Sequence, residues 1–259
     1  MDLRLDRSLA EPYRSGAQRA RVLTQAWVAR EGYCLACGSE PLRPTAPNSP
    51  ALDFRCARCR EPYELKSAAR PFGRRIVDGE YRTFLNAIRS HDNPNLLLLT
   101  YAAERAEVTT FSAVPRQAVS RMTVVPRRPL GPTARRAGWQ GCSIDLAGLG
   151  PRLRVPIVAD GAERPRPDVL VDWHRFDFLA APKHGARDWL PDILACLRRI
   201  PGETFTLAEI YAFEPELRLL HPKNVHIPPK IRQQLQILVR HGFLERLAPG
   251  RYRKSERFG

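Results

Sequence analysis

The spacing of apolar positions predicts a mixed α/β first part of the chain followed by a mainly helical last part. From Ser15 to Arg30 apolar side chains return every three or four residues, at Ala20, Leu23, Trp27 and Val28, which predicts a helix capped by Ser15. Two short strand-like runs follow, Ala51–Phe54 and Pro62–Ser67. Period-two alternation puts Glu64 and Lys66 on one face of the second run, with Tyr63 and Leu65 on the other. Ile76–Ser90 reads as a loop and then a helix with Tyr81, Leu85 and Ile88 on one side. Asn95–Tyr101 (NLLLLTY) is a continuous apolar run of the kind buried on both faces, and Val108–Val114 is a further strand. This order predicts a mixed sheet flanked by helices.

Val158–Lys183 is rich in Pro, Gly and charge, and the domain boundary is expected near its end, giving domains 1–182 and 183–259. Beyond it, Arg187–Arg199, Thr206–Phe213 and Val225–Arg240 read as three amphipathic helices. Phe243–Leu247 and Tyr252–Lys254 flank a Pro-Gly turn as a hairpin. Three helices and a basic hairpin outline a winged helix-turn-helix. On the third helix Ile227, Ile231, Leu235 and Leu238 share one face, while Arg232, Gln233, Gln236 and Arg240 project from the other. Arginine pairs with guanine edges and glutamine with adenine edges, so this face suits the major groove. Lys230 and, on the hairpin, Arg253 extend the same basic surface. Winged helices also serve as dimerisation modules; the local excess of cations favours DNA.

Charge strengthens that reading. Lys and Arg number 42 against 27 Asp and Glu, a formal net charge of +15 that favours a polyanionic partner. No long apolar run or basic amphipathic helix points to a membrane. The first twenty residues lack the apolar core of a signal peptide, so a reducing bacterial or archaeal cytosol is expected. The protein is expected to be a monomer in solution.

In such a compartment paired cysteines read as metal sites rather than disulfides. Cys34 and Cys37, then Cys56 and Cys59, form two C-x2-C pairs eighteen residues apart, the spacing of a four-thiolate zinc site. Four thiolates leave no open position, so this Zn²⁺ is expected to be structural. Around the second pair, Asp53 and Glu64-Leu65-Lys66 are separated by the spacing of a carboxylate pair plus lysine. Two hard carboxylates at Asp53 and Glu64 suit Mg²⁺ beside a scissile phosphate, and Lys66 suits charge that develops there. Alone, D-x10-E-x-K is a weak signal that a solvated hairpin also satisfies. The basic composition and the zinc clamp favour a nuclease.

Between Arg116 and Trp139 lie six arginines and no acid. Six uncompensated cations repel one another without an anion nearby, so phosphate contact is expected, with Arg127, Arg128, Arg135 and Arg136 as candidates. Trp139, flanked by Gly138, is the candidate for contact with a base or a base methyl, against the competing reading of core packing.

These stretches together resemble the DpnI-type methyl-directed restriction endonucleases. The resemblance is carried by LTQAWVAR, YCLACG, the LDF…C-x2-C…YELKS block, NPNLLLLTY, RPLGPTARRAGWQGC, KIRQQLQIL and RYRK, from about residue 20 to residue 254. It implies a PD-(D/E)xK nuclease domain with an embedded zinc site and a C-terminal winged helix, both contacting double-stranded DNA. It also implies cleavage of GATC whose adenine carries an N6-methyl group. The family's catalytic positions fall on Asp53, Glu64 and Lys66 and its zinc ligands on Cys34, Cys37, Cys56 and Cys59. Leu52 stands where the motif nominally has proline. Two other classes fit the residues: a zinc-ribbon and winged-helix regulator that binds without cutting, and a structure-selective repair nuclease.

Overall fold

The sheet that carries the Asp53–Lys66 stretch is mixed, and its order follows from where the apolar runs lie. The computed structural model describes residues 1–46, 52–180 and 186–258. The expected strand start at Ala51 and the boundary between 182 and 183 fall outside them. Strands β1 (Leu42–Pro44), β2 (Phe54–Cys56), β3 (Pro62–Ala68), β4 (Arg75–Glu80), β5 (Asn95–Ala102), β6 (Glu107–Val114), β7 (Val124–Pro126), β8 (Gly141–Asp145), β9 (Val155–Ala159) and β10 (Ala162–Glu163) form two sheets. Their orders are β1-β2-β3-β5-β6-β9-β10 and β4-β8-β7. β3 and β5 are parallel, with Glu64 opposite Leu96 and Lys66 opposite Leu98, while the other pairs of the large sheet are antiparallel. β5 lies inside the sheet, so Asn95 through Thr100 are all buried, as its unbroken apolar run requires.

Helix α1 (Gly16–Glu31) buries Thr24, Trp27 and Val28, and Trp27 meets Phe111 of β6 edge-on at 5.2 Å between ring centres. Ser15 occupies the N-cap position without a side-chain capping bond. Residues 76–80, expected as a loop, belong to β4, which leads directly into α2 (Tyr81–Ser90). Asp78-Gly79 reads as a turn in sequence, but pairing with β8 holds it extended. On α2 the buried side chain is Phe84; Tyr81, Leu85 and Ile88 pack partly buried at its flanks. The Pro-, Gly- and charge-rich stretch from Val158 contains the end of β9, then β10 and α4 (Arg166–His174); the one-turn α3 (Leu146–Leu149) lies before it.

The C-terminal part has α5 (Ala186–Arg199), α6 (Leu207–Tyr211), α7 (Glu214–Leu220) and α8 (Ile227–Arg240), with strands β11 (Thr204–Thr206), β12 (Leu244–Ala248) and β13 (Arg251–Lys254) in the order β11-β13-β12. The second expected helix, Thr206–Phe213, corresponds to α6, and α7 follows it as a further helix beyond those bounds. Thr206 and Glu209 cap α6 reciprocally, and Glu214-Pro215 begins α7. α8 buries Ile227, Ile231, Leu235 and Leu238, the face expected from sequence, together with Gln234 and Ile237.

A buried polar cluster joins the two parts. Asp192 of α5, 2% exposed, accepts from Ser120 Oγ at 2.5 Å and lies 2.8 Å from His221 Nε2 and 3.7 Å from Arg121. Trp189 stacks on His221 at 3.9 Å. No described helix is long and apolar enough to cross a membrane.

Candidate active site and thiolate cluster

The four cysteines meet at the end of the β2–β3 hairpin. Cys34 and Cys37 lie on the turn after α1, and Cys56 and Cys59 on the turn leaving β2, where the Cys56 amide donates to Glu61 and the Arg60 amide to Cys56. Cys34 Sγ is 3.5 Å from Cys59 Sγ and Cys37 Sγ 3.6 Å from Cys56 Sγ, and all four lie within 4.8 Å of one another. A tetrahedron of thiolates around zinc has edges of roughly 3.8 Å, so the set fits Zn²⁺. Burial opposes the thiolate form of Cys56, but the Ser39 hydroxyl and the Cys59 and Arg58 amides outweigh it and bring its pKa down to about 6. Burial opposes the Cys37 thiolate too and is outweighed by Ser39 and Cys59, so its pKa is also lowered. Cys34 is pushed up by burial despite the Tyr63 hydroxyl 3.3 Å away.

Tyr63 connects this cluster to the acidic site. Its ring is fully buried, its oxygen accepts from the Leu35 amide at 3.0 Å, and the next residue along β3 is Glu64. Phe54 and Arg55 of β2 stand opposite Tyr63 and Pro62 of β3. Asp53 just precedes β2 rather than lying on it, and its amide donates to the Tyr63 carbonyl at 3.0 Å. Its carboxylate is held on both oxygens: Gln25 Nε2 of α1 donates to Oδ1 at 2.7 Å, and the Leu65 amide to Oδ2 at 2.8 Å.

Glu64 and Lys66 project from one face of β3, as the alternation predicts, and Lys66 Nζ donates to Glu64 Oε1 at 2.6 Å. A second acid, absent from the sequence reading, completes the group: Asp78 of β4 lies 3.2 Å from Lys66 Nζ. Burial, the Asp78 charge and the Asp53 charge together push the Glu64 carboxyl up to about 7, against the pull of Lys66. Burial works against the Lys66 cation, but Glu64 and Asp78 outweigh it and raise its pKa, so it stays charged. Glu64 Oε2 and Asp78 Oδ2 are buried with no protein partner, and such oxygens fit a cation. Asp53, Glu64 and Asp78 do not converge on one point as the cysteines do; among the described residues only the thiolates have that spacing.

Two clefts flank this group. One, of about 500 Å³, is lined by Asp53, Lys66 and Gln25 and by the exposed Arg21 and Arg75. The other, of about 980 Å³, is lined by Asp78, Glu80, Arg116, Arg136 and Trp139. Trp139 sits on the excursion between β7 and β8, where Leu130 and Trp139 pair through the backbone and the Arg136 guanidinium lies 5.1 Å from the ring centre. Gly141 has no side chain because a Cβ would come within 2.9 Å of the Trp139 ring. Trp139 is thus half-buried against its own hairpin, with one side facing the cleft.

The six arginines of this segment divide. Arg127, Arg128, Arg135 and Arg136 are exposed on the hairpin excursion. Arg116 and Arg121 are not part of a free cationic surface, which corrects the expectation of six uncompensated charges. Arg116 pairs with Glu61 at 3.1 Å, and Arg121 donates to the Leu220 carbonyl at 2.8 Å near Asp192. In the C-terminal part, Gln236 and Arg240 are exposed on α8, and Arg232 donates to the Tyr211 hydroxyl. Lys230 donates to Gln233, and Arg253 of β13 pairs with Glu245.

Comparison with protein families gives two matches: a model described as DpnI, Dam-replacing family, over residues 1–182, and one described as Dam-replacing HTH domain over residues 185–254.

Proposed function

Given that the chain belongs to the DpnI, Dam-replacing family, a family of methylation-dependent restriction endonucleases, we propose that it cuts both strands of double-stranded DNA at adenine-methylated sites, G-m6A-TC, by Mg²⁺-dependent hydrolysis. The observation that carries this reading is the buried Glu64–Lys66–Asp78 group beside the doubly held Asp53, with Lys66 and Asp53 lining a cleft that has Arg21 and Arg75 on its wall.

In this reading residues 1–182 form a PD-(D/E)xK nuclease domain with Asp53, Glu64 and Lys66 as its catalytic set. Asp53 and Glu64 hold the Mg²⁺, which when bound polarises the phosphate and lowers the pKa of a water. Gln25 and the Leu65 amide orient Asp53 before any substrate arrives, and the Lys66 ammonium stabilises negative charge as it develops on the phosphate. Cys34, Cys37, Cys56 and Cys59 hold a structural Zn²⁺ that keeps the hairpin, and with it both carboxylates, in one register. Arg127, Arg128, Arg135 and Arg136 contact phosphate, and Trp139 contacts the N6-methyl group. On residues 183–259, Lys230, Arg232, Gln233, Gln236, Arg240 and Arg253 face DNA; Arg232 and Arg253 exchange their present partners for it.

The test separates cutting from binding. Wild-type protein with Mg²⁺ is expected to cut a duplex carrying N6-methyladenine in GATC. Asp53→Ala is expected to cut nothing while its affinity for that duplex stays within a few fold. Binding without cutting by the wild type would make the protein a regulator instead.

A further inference from the structure

The carboxylate–lysine spacing leaves Asp78 without a role, although this residue is 6% exposed and faces the Lys66 ammonium. Burying a carboxylate is costly unless a partner compensates. β4 alternates Ile76 inward, Val77 outward and Asp78 inward, so Asp78 occupies a position where an apolar residue would add to the core. Its Oδ1 accepts from the Gly79 amide at 2.6 Å and faces Lys66 Nζ.

The geometry gives Asp78 a distinct task. A lysine carries a compact charge on a flexible four-carbon stem, so its position is only as fixed as its partners. Glu64 is two residues away on the same strand, and its other oxygen is the one that suits a cation. Asp78 belongs to a different sheet, where it stands opposite Cys142 of β8, just past the hairpin that carries Trp139. A contact from that second sheet fixes Nζ whether or not Glu64 is engaged elsewhere. We propose that Asp78 is a positioning residue that holds the Lys66 ammonium in place from the β4–β8–β7 sheet, a role that rests on the nuclease reading above.

A double-mutant cycle on the full chain tests this through single-turnover cleavage of the methylated duplex. Asp78→Asn is expected to slow cleavage by about tenfold or more while Kd for the duplex, measured without Mg²⁺, stays within twofold. Added to Lys66→Ala, it is expected to slow cleavage less than twofold further. Independent multiplication of the two losses, an equal loss in Kd, or recovery of the Asp78→Asn rate on raising Mg²⁺ tenfold would overturn the proposal. A second readout needs no cleavage: in protein labelled with ¹⁵N-lysine, the Lys66 ammonium is expected to give a slowly exchanging signal that Asp78→Asn abolishes. Absence of that signal from the wild type, or its persistence in the variant, overturns the positioning role. The expected signals in a protein that cuts no DNA would overturn the nuclease reading and leave the ammonium contact standing.

Discussion

Gln25 Nε2 donates to Asp53 Oδ1 at 2.7 Å, so a helix twenty-eight residues upstream sets the orientation of the first carboxylate of the proposed site. α1 therefore does more than cover the sheet. Partners of this kind tune activity by about 10–100-fold when removed. Gln25→Leu, which keeps the volume and removes the donor, is expected to lower the single-turnover rate about tenfold without changing duplex affinity. The Leu65 amide keeps Asp53 partly oriented, so the loss stays below that of Asp53→Ala.

Very little of that link is legible in the sequence. The α1 pattern shows its buried face, and Gln25 lies off it, where a polar residue needs no explanation. The thiolate pairs and the acid–lysine spacing are local, and they can be read because a hairpin brings them together within about thirty residues. Asp78 escapes notice because Asp-Gly is a turn signal and a buried acid inside a short strand has no pattern of its own. Arg116 and Arg121 look uncompensated because their acids, Glu61 and Asp192, lie 55 and 71 residues away. The start of α7 is marked only by Pro215, four residues beyond the end of α6.

The thiolate cluster makes the hairpin depend on metal. Purified protein is expected to contain one zinc per chain by elemental analysis. Cys56→Ser, or a strong chelator, is expected to remove it and lower Tm by roughly 10 °C, a loss of several kcal/mol for a chain of this size. Cleavage is expected to fall in parallel even with Mg²⁺ in excess, because the register of Tyr63 and Glu64 relaxes.

Glu64 gives the Mg²⁺-free protein a pH dependence of known sign. Its carboxyl is raised from 4.5 to about 7, chiefly by burial. Between these values the folded state keeps a proton that the unfolded chain has released. Stability is therefore expected to fall as pH rises from about 4.5 to 7, by up to about 3 kcal/mol, and to level off above. Chemical denaturation of wild type and Glu64→Gln across this range, without divalent cations, checks it: the variant's slope is expected to be flatter.

Trp139 carries the proposed reading of the methyl group. Burying one methyl-sized group is worth roughly 1 kcal/mol, or about fivefold in discrimination. Trp139→Ala is expected to reduce the preference for methylated over unmethylated duplex by about that factor, measured as the ratio of cleavage rates. An unchanged ratio removes Trp139 from the pocket.

The most direct measurement uses one plasmid prepared from an adenine-methylating and a non-methylating bacterial host, each incubated with the protein and Mg²⁺. The methylated plasmid is expected to give discrete fragments whose ends map to GATC, and the unmethylated plasmid to stay intact. Equal cutting of both, or cutting of neither with binding retained, contradicts a methyl-directed nuclease.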